Sequence, residues 1–346
     1  MSSFSKKHAN VPIFVPHMGC PHKCVFCNQR TISGTNAFSL SKAEETLKNA
    51  LKTLGERQAE LAFFGGSFTA IDRELMIALL EMGKREIENG RICGIRLSTR
   101  PDCIDEKILD LLEEYGVSAI ELGLQSTDGQ VLKACGRGHT PEDGQRALRL
   151  IKKRGRFEAG GQMMLGLPLS TPEKEQQTAL DLCDWGADTV RIYPTVVLEG
   201  TELGALYKSG RYDPLTLEEG VKRTAELIPL FEERGVKILR MGLQAEEGLK
   251  HALAGCYHPA FGELAENAVW RTLLEKLFKN HPPIRGKAYT VSLPRGHLSK
   301  AIGQKGANKK YLSEKYGCRL RFKESDLLTG RTATVEEGAY SATEIT

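Results

Sequence analysis

Apolar and polar residues along this chain alternate between two rhythms. Short apolar runs fall at Ile13–Val15, Leu61–Phe64, Gly94–Ser98, Ala119–Leu124, Gly161–Leu165 and Thr189–Tyr193. Between them lie longer stretches with apolar residues every three or four positions, the spacing of a helix with one buried face. Start and stop signals bound these stretches. Ser41 precedes Lys42–Leu54 and Gly55 ends it; Asp72 opens a run to Glu88 closed by Asn89-Gly90; Asp105 opens Glu106–Tyr115 before Gly116. Pro141 and Pro172 stand in the first turn of Glu142–Arg154 and Glu173–Trp185, where a missing N–H costs nothing. Strands alternating with helices of this length predict βαβ units and a parallel sheet. A later unit, Glu218–Arg234 then Val236–Met241, extends the sheet edge, and Glu263–Phe278 reads as a helix covering the opening or leading onward.

The rhythm changes after residue 284. Lys287–Leu293 alternates as a strand, His297–Ile302 and Asn308–Tyr316 read as two short helices around Gly303-Gln304-Lys305-Gly306, and Arg319–Phe322 alternates again. The expected organisation is an α/β barrel with its edge extension over 1–262, a helix and linker over 263–284, a βααβ module over 285–325 and a flexible tail over 326–346.

Composition adds two constraints. With 346 residues, 40% hydrophobic and 27% charged, the chain is ordinary for a globular protein. No apolar run is long enough to span a membrane, the first residues lack a signal-peptide core, and nine unpaired-looking cysteines fit a reducing cytoplasm. The net charge of +4 conceals an asymmetry. Between Lys279 and Lys323 twelve Lys/Arg meet one acid, Glu314, for +11, leaving −7 on the remainder. A basic end on a mildly acidic body predicts a polyanionic partner.

Chemistry concentrates just after the first strand. Cys20, Cys24 and Cys27 are spaced C-x-x-x-C-x-x-C with Phe26 before the last, and thiolates packed this closely select an iron–sulfur cluster or zinc. A structural zinc site completed by His17 or His22 is the alternative; no second C-x-x-C half or downstream C/H pair follows. Three thiolates leave a four-iron cluster one open coordination site. This motif resembles the signature of radical S-adenosylmethionine (SAM) enzymes, in which the open iron chelates SAM.

The expected strand ends supply further matches: Gly65-Gly66, Arg100-Pro101-Asp102, the segment from Glu121 to Ser126, Arg137-Gly138-His139-Thr140, the segment from Met163 to Pro168, and Ile192-Tyr193-Pro194-Thr195 with Gly200-Thr201-Glu202-Leu203. In this order, over roughly residues 11–245, they resemble the radical SAM portion of Elongator-type catalytic subunits, which modify the wobble uridine of tRNA. The first cysteine gap is narrower here than in that family, and its acetyltransferase domain has no counterpart in the residues that follow. The resemblance implies an open six-fold (β/α) barrel, a 4Fe–4S cluster on Cys20, Cys24 and Cys27, and a SAM methionine end held at Gly65 and Gly66. It makes Ser98, Gln125 and Arg137 candidates for the SAM ribose and carboxylate. Tyr193 and Gln162 are candidate substrate contacts. Cys256 is either a thiol donor near the barrel mouth or a buried structural cysteine. Met163 and Met164 read as packing residues.

Gly303-Gln304-Lys305-Gly306 between two helices resembles the G-x-x-G loop of KH domains, which clamps a single-stranded nucleic-acid backbone. Lys305, Lys309, Lys310 and Arg295 are the candidate phosphate contacts; an ordinary helix–turn–helix with a solvated basic face is the alternative. Together these readings point to a cytoplasmic radical SAM enzyme acting on tRNA or rRNA and served by an electron donor such as flavodoxin or ferredoxin. A porphyrin-oxidase-like enzyme acting on a small molecule, or a non-catalytic RNA-binding iron–sulfur protein, fits less of the pattern.

Overall fold

The computed structural model describes residues 9–15, 20, 23–28, 38–55, 57–243, 249 and 252–338. The chain divides into two compact units: Met1–Gly220 with Leu230–Pro259, and Val221–Pro229 with Ala260–Thr346. His17 and His22, the alternative zinc ligands, lie outside the described residues.

The first unit is a seven-stranded parallel sheet curled into a half-barrel. Its strands are β1 (Ala9–Val15), β2 (Ala59–Gly65), β3 (Gly94–Thr99), β4 (Val117–Gln125), β5 (Glu158–Leu165) and β6 (Thr189–Pro194). The short β7 (Val196–Val197) comes before the seventh sheet strand, β8 (Lys237–Met241), and pairs antiparallel with β9 (Ala254–Gly255). The order β1-β2-β3-β4-β5-β6-β8 follows the chain, so each strand pairs with the one before it. Six units were expected with an added edge; β8 is that edge, parallel to β6 from Thr189↔Lys237.

Helices α1 (Leu40–Thr53), α2 (Arg73–Glu88), α3 (Glu106–Glu114), α4 (Gly129–Ala134), α5 (Pro141–Arg154), α6 (Pro172–Asp184), α7 (Glu202–Lys208) and α8 (Leu217–Glu233) follow the strands. Most of their caps are the ones the sequence advertises; α1 differs, starting at Leu40 with Ser39 rather than Ser41 at its cap position. Asp72 accepts hydrogen bonds from the backbone N–H of Glu74 and Leu75. Thr140 and Asp143 close a reciprocal capping box on α5, and Gly155 stops that helix in the left-handed region. Strand β3 is buried at all six positions, as a central parallel strand must be when both its faces are covered.

The second unit is built on α9 (Phe261–Asn280). Strand β10 (Ala288–Leu293), α10 (Leu298–Ile302), α11 (Ala307–Tyr316), β11 (Arg319–Glu324) and β12 (Thr334–Glu337) complete it. Its sheet runs β11-β10-β12, with β10 parallel to β11 and antiparallel to β12. Trp270, Leu274 and Phe278 of α9 are fully buried against Val291, Leu293, Ala301, Leu312 and Leu320, and each such side chain contributes about 1.5–3 kcal/mol by leaving water. Two expectations are corrected here. The helix expected within a 263–284 linker is core of this unit, because its aromatic face fills the sheet. The segment 326–346, expected as a flexible tail, supplies β12, where Val335 pairs with Val291 and packs on the core; residues 339–346 lie outside the described residues.

Candidate functional site

All the sheet strands of the barrel are parallel, so their C-terminal ends collect at one rim, where α/β barrels carry their chemistry. A cavity of about 690 Å³ opens there, within the range of small-molecule sites. Cys20, Cys24 and Cys27 line it, together with Gly65, Gly66, Ser98, Gln125, Arg137 and Gln162. The sequence-predicted cluster, cofactor and substrate residues therefore meet in one place, with Tyr193 and Cys256 the exceptions. Residues given no site role from sequence also face this space: Ser67, Thr99 and Arg100 at the ends of β2 and β3, and Gly200, Thr201 and Glu202 at the start of α7, of which Arg100 and Gly200–Glu202 lie in matched motifs.

The loop carrying the thiols is tied to the barrel by backbone bonds. The Val25 N–H donates to the Cys135 carbonyl at 3.1 Å, and the Leu203 N–H donates to the Val25 carbonyl at 2.8 Å. Arg137 is 7% exposed; its guanidinium donates to the Gly123 carbonyl and, at 3.2 Å, to the Cys24 sulfur. Burial pushes the Cys20 thiol up, opposed by a hydrogen bond from the Ser67 backbone and by the charges of Arg137 and Arg100. Burial likewise raises Cys135, behind the loop, to about 12, leaving it a neutral packing thiol. The three motif thiols line a common cavity without a preformed cage: among the described residues no three His, Cys, Asp or Glu groups converge to hold an ion.

The donor set fits a cluster and the walls fit a ligand beside it. Gly65 sits at φ +117°, and a Cβ there would stand 2.8 Å from the Val15 carbonyl oxygen, so the β2 edge stays bare backbone. The Gly66 N–H donates to that same oxygen at 2.8 Å. Gln125 holds a left-handed φ of 69°, a strained conformation for a side-chain-bearing residue. Its Oε1 and the Arg137 Nε are buried without a hydrogen-bond partner among the described residues, the condition of groups awaiting a ligand.

A second cavity of about 260 Å³ adjoins the first, and Phe26, Cys27, Gly65, Ser98, Gln125 and Gln162 line both. Phe14, Phe64, Met164, Arg191, Tyr193 and Arg240 form much of its wall. The rings of Phe14 and Phe64 lie 6.3 Å apart, and the Arg191 guanidinium stands 5.4 Å over the Phe64 ring. Tyr193 thus belongs to this second space, and burial raises its phenol pKa. Met164 lines it too, whereas Met163 is fully buried, as a packing residue should be.

Beneath both cavities lies an ion-pair network that sequence reading missed. Glu121 is 1% exposed and accepts from Arg191 at 2.6 and 2.9 Å. It also accepts from Arg96 at 3.2 Å and from the Gln162 amide at 3.0 Å. Arg96 reaches Glu60 and Glu158 as well, at 3.1 and 2.8 Å. Burial alone would push the Glu121 carboxyl up; the hydrogen bonds and charge of Arg191, with Gln162 and Arg96, outweigh it and hold the pKa below the ordinary value. The Gln162 Nε2 also donates to the Ser98 hydroxyl at 3.0 Å, so two candidate residues are held by one carboxylate. Cys256 is corrected: it is fully buried and lines neither cavity, which leaves the packing alternative.

In the second unit the chain between α10 and α11 turns through Gly303 at φ 81°, Lys305 at 53° and Gly306 at 74°. A Cβ on Gly303 would meet the Asn308 backbone nitrogen at 2.9 Å. Asn308, fully buried, donates to the Asn267 carbonyl at 2.7 Å and accepts from Arg271 at 2.9 Å, locking α11 onto α9. Lys305, Lys309 and Lys310 are exposed and Gln304 half-buried. Lys310 has Glu314 at 4.0 Å, and Arg295 donates to Asp326 at 2.8 Å.

The sequence signature of the Radical SAM superfamily matches residues 14–182, and that of the radical SAM C-terminal domain matches residues 187–271. An uncharacterized protein of Methanocaldococcus jannaschii is 31% identical over 225 residues, covering 61% of this chain and 68% of that protein. The chain belongs to the radical SAM superfamily. Within it, similarity runs toward Elongator-like members. The tRNA uridine(34) acetyltransferase of M. jannaschii is 32% identical over 245 residues, covering 59% of this chain and 45% of the relative. The chain thus spans less than half the length of that relative. An archaeal Elp3 structure from Methanocaldococcus infernus, with its N-terminus (1–46) deleted, superposes with a TM-score of 0.61 at 22% identity over 80% of this chain and 64% of the other, a likeness of fold. Among the described residues no helix is long and apolar enough to cross a membrane.

Proposed function

We propose that this radical SAM protein is a cytoplasmic enzyme that modifies a base of tRNA or rRNA, with its C-terminal βααβ module acting as a KH-like clamp on the RNA backbone. The observation that carries the catalytic part is the convergence of three thiols, a Cβ-free strand edge and the partnerless polar atoms of Gln125 and Arg137 on one cavity. Cys20, Cys24 and Cys27 would hold a 4Fe–4S cluster and Gly65 and Gly66 the methionine end of SAM. Ser98, Gln125 and Arg137 would serve its ribose and carboxylate, an Arg suiting a carboxylate through its two-pronged donors. The cluster, once reduced by a flavodoxin or ferredoxin, would supply the single electron for reductive cleavage of SAM, with methionine as the leaving group.

The chain's own part is to orient and to exclude water. The second cavity, walled by Phe14, Phe64 and Arg191, suits a flat, partly polar ring drawn out of its stack. Gln162 and Tyr193 offer hydrogen bonds to it. Lys305, Lys309, Lys310 and Arg295 would meet phosphates near the Gly303–Gly306 turn, supplying affinity rather than base identity.

The test is anaerobic reconstitution followed by SAM and dithionite, with and without total RNA, reading 5′-deoxyadenosine by mass spectrometry. RNA-stimulated formation supports both halves of the reading. Formation indifferent to RNA favours a small-molecule substrate, and no formation by an iron-replete protein favours a non-catalytic cluster. Gln304→Asp/Lys305→Asp should abolish the RNA stimulation and leave the RNA-independent rate intact.

A further inference from the structure

The second cavity holds two guanidinium groups on adjacent strands. Arg191 of β6 and Arg240 of β8 stand directly opposite each other in the parallel register, and both line the cavity. Like charges so placed are destabilising unless something negative compensates them. Arg191 is compensated: its Nε and Nη2 donate to the two oxygens of Glu121 at 2.6 and 2.9 Å. Arg240 is held differently. Its Nε and Nη2 donate to the carbonyls of Gly242 and Leu243 at 3.1 and 3.2 Å, which satisfies two donors and cancels no charge. Among the described residues no carboxylate pairs with Arg240, and none lines the cavity. The remaining carboxylates of the network, Glu60 and Glu158, are bound to Arg96, near the opposite, N-terminal ends of β2 and β5.

We infer that Arg240 anchors the phosphate of the nucleotide whose base enters this cavity, a proposal that rests on the reading of the barrel as a nucleic-acid-modifying enzyme. The geometry calls for an oxyanion on a body that can share a space with Phe14, Phe64, Leu198 and Leu249. A guanidinium with donors to spare meets phosphate or carboxylate oxygens through charge-assisted bonds. The Tyr193 phenol lies within electrostatic reach of both arginines and adds a neutral donor beside them. A nucleotide supplies both halves of the demand, a flat ring for the phenyl walls and a phosphate one sugar away. Arg240 is the next-to-last residue of β8, so the anion sits at the rim, where a polynucleotide must continue outside. A small carboxylate offers the same oxyanion chemistry, and the experiment separates the two sources. A purely structural Arg240, tying the turn at Gly242 and Leu243, would be indifferent to ligand charge.

The full-length, cluster-reconstituted protein with SAM is titrated calorimetrically with the four ribonucleosides, their 5′-monophosphates, and benzoate, a flat ring bearing a carboxylate. At least one monophosphate should bind about tenfold or more tighter than its nucleoside, the contribution of a hydrogen bond to a charged group. R240Q keeps an amide N–H for the turn and drops the charge; it should erase that difference, and R240K should retain part of it. Because both ligands are read on one preparation, a loss of folded protein lowers the two signals together and not the affinity ratio. Equal affinity for nucleoside and monophosphate in the wild type, or a difference that R240Q retains, overturns the anchor. RNA-stimulated 5′-deoxyadenosine formation by the same wild-type preparation would then leave the proposed function standing. Arg240-dependent binding of benzoate, with no monophosphate bound at about 1 mM, overturns the nucleotide assignment, and a lack of RNA stimulation would overturn the nucleic-acid reading with it.

Discussion

Replacing Glu121 with glutamine removes one charge from the middle of the barrel and keeps the side chain's shape. The two arginines it serves are affected unequally. Arg96 retains Glu60 and Glu158, whereas Glu121 is the acidic partner of Arg191 among the described residues, whose side chain is only 12% exposed. With charge centres roughly 4 Å apart at an effective dielectric near 20, that attraction is about 4 kcal/mol. Removing one member of a buried pair costs about 3–5 kcal/mol, because the survivor's charge stays out of water. At a urea m value of about 2–3 kcal/mol/M, the unfolding midpoint of the apo protein should fall by about 1.5 M. The double variant E121Q/R191M removes the stranded charge and should recover at least about 2 kcal/mol of the loss. Acid gives an independent check. The Glu121 pKa is lowered from 4.5, so its stabilisation is complete above that value and lost as the pH falls through the lower, folded-state pKa; E121Q should lack this part of the acid limb. A midpoint within about 0.3 M of wild type, or a double variant that simply sums the two single losses, would refute the reasoning.

Three other outcomes follow from the geometry. Gly65→Ala forces a Cβ to 2.8 Å from the Val15 oxygen at φ +117°; it should cost about 2 kcal/mol or more and weaken SAM binding at least tenfold by equilibrium dialysis. His139 is 5% exposed, and burial, with Arg137 and Arg100 nearby, brings its pKa down to about 3. The unfolded chain therefore takes up that proton first, and stability falls as the pH drops from about 6.5 toward 3; H139L should flatten this slope by up to about 1.4 kcal/mol per pH unit, read from urea midpoints. Asn308→Ala leaves the Asn267 carbonyl and the Arg271 guanidinium without the partner they have now; it should cost about 2–3 kcal/mol and lower oligo(U) affinity in proportion to the unfolded fraction.

The barrel was legible because its strands are uninterrupted apolar runs and its helices carry their own caps: Asp72, Thr140 with Pro141, and Gly155 all mark the boundaries they occupy. The residues that line the candidate site were legible because they follow strand ends in chain order. What escaped was written in weaker signals. Strand β12 is Thr-Val-Glu-Glu, with one apolar residue to betray it, and it exists because β10 offers a free edge. Helix α9 looked like a linker helix because the sheet it packs on lies later in the chain. The Glu60–Arg96–Glu121–Arg191 network left one usable trace: lone charges inside otherwise apolar strands, Arg96 in Ile-Arg-Leu and Arg191 in Val-Arg-Ile. Such a charge must be paired across the barrel, but only the register between β3, β4 and β6 says with whom. Cys256 had no local signal to separate a reactive thiol from a packed one.

The strand order of the barrel also sets a timetable for its birth on the ribosome. Each strand docks on its predecessor, so the sheet can grow as the chain emerges, with no strand waiting for a distant partner. The three-cysteine loop, however, follows the first strand, and its closing contacts come from Cys135 and Leu203. At about 5–20 residues per second, the three thiols spend roughly 10–45 s in the open before the last barrel strand, ending at Met241, has been made. On the function proposed above, delivery of a cluster and oxidation of the thiols compete for the same nascent loop, and slower translation of the first 241 residues lengthens the window for both.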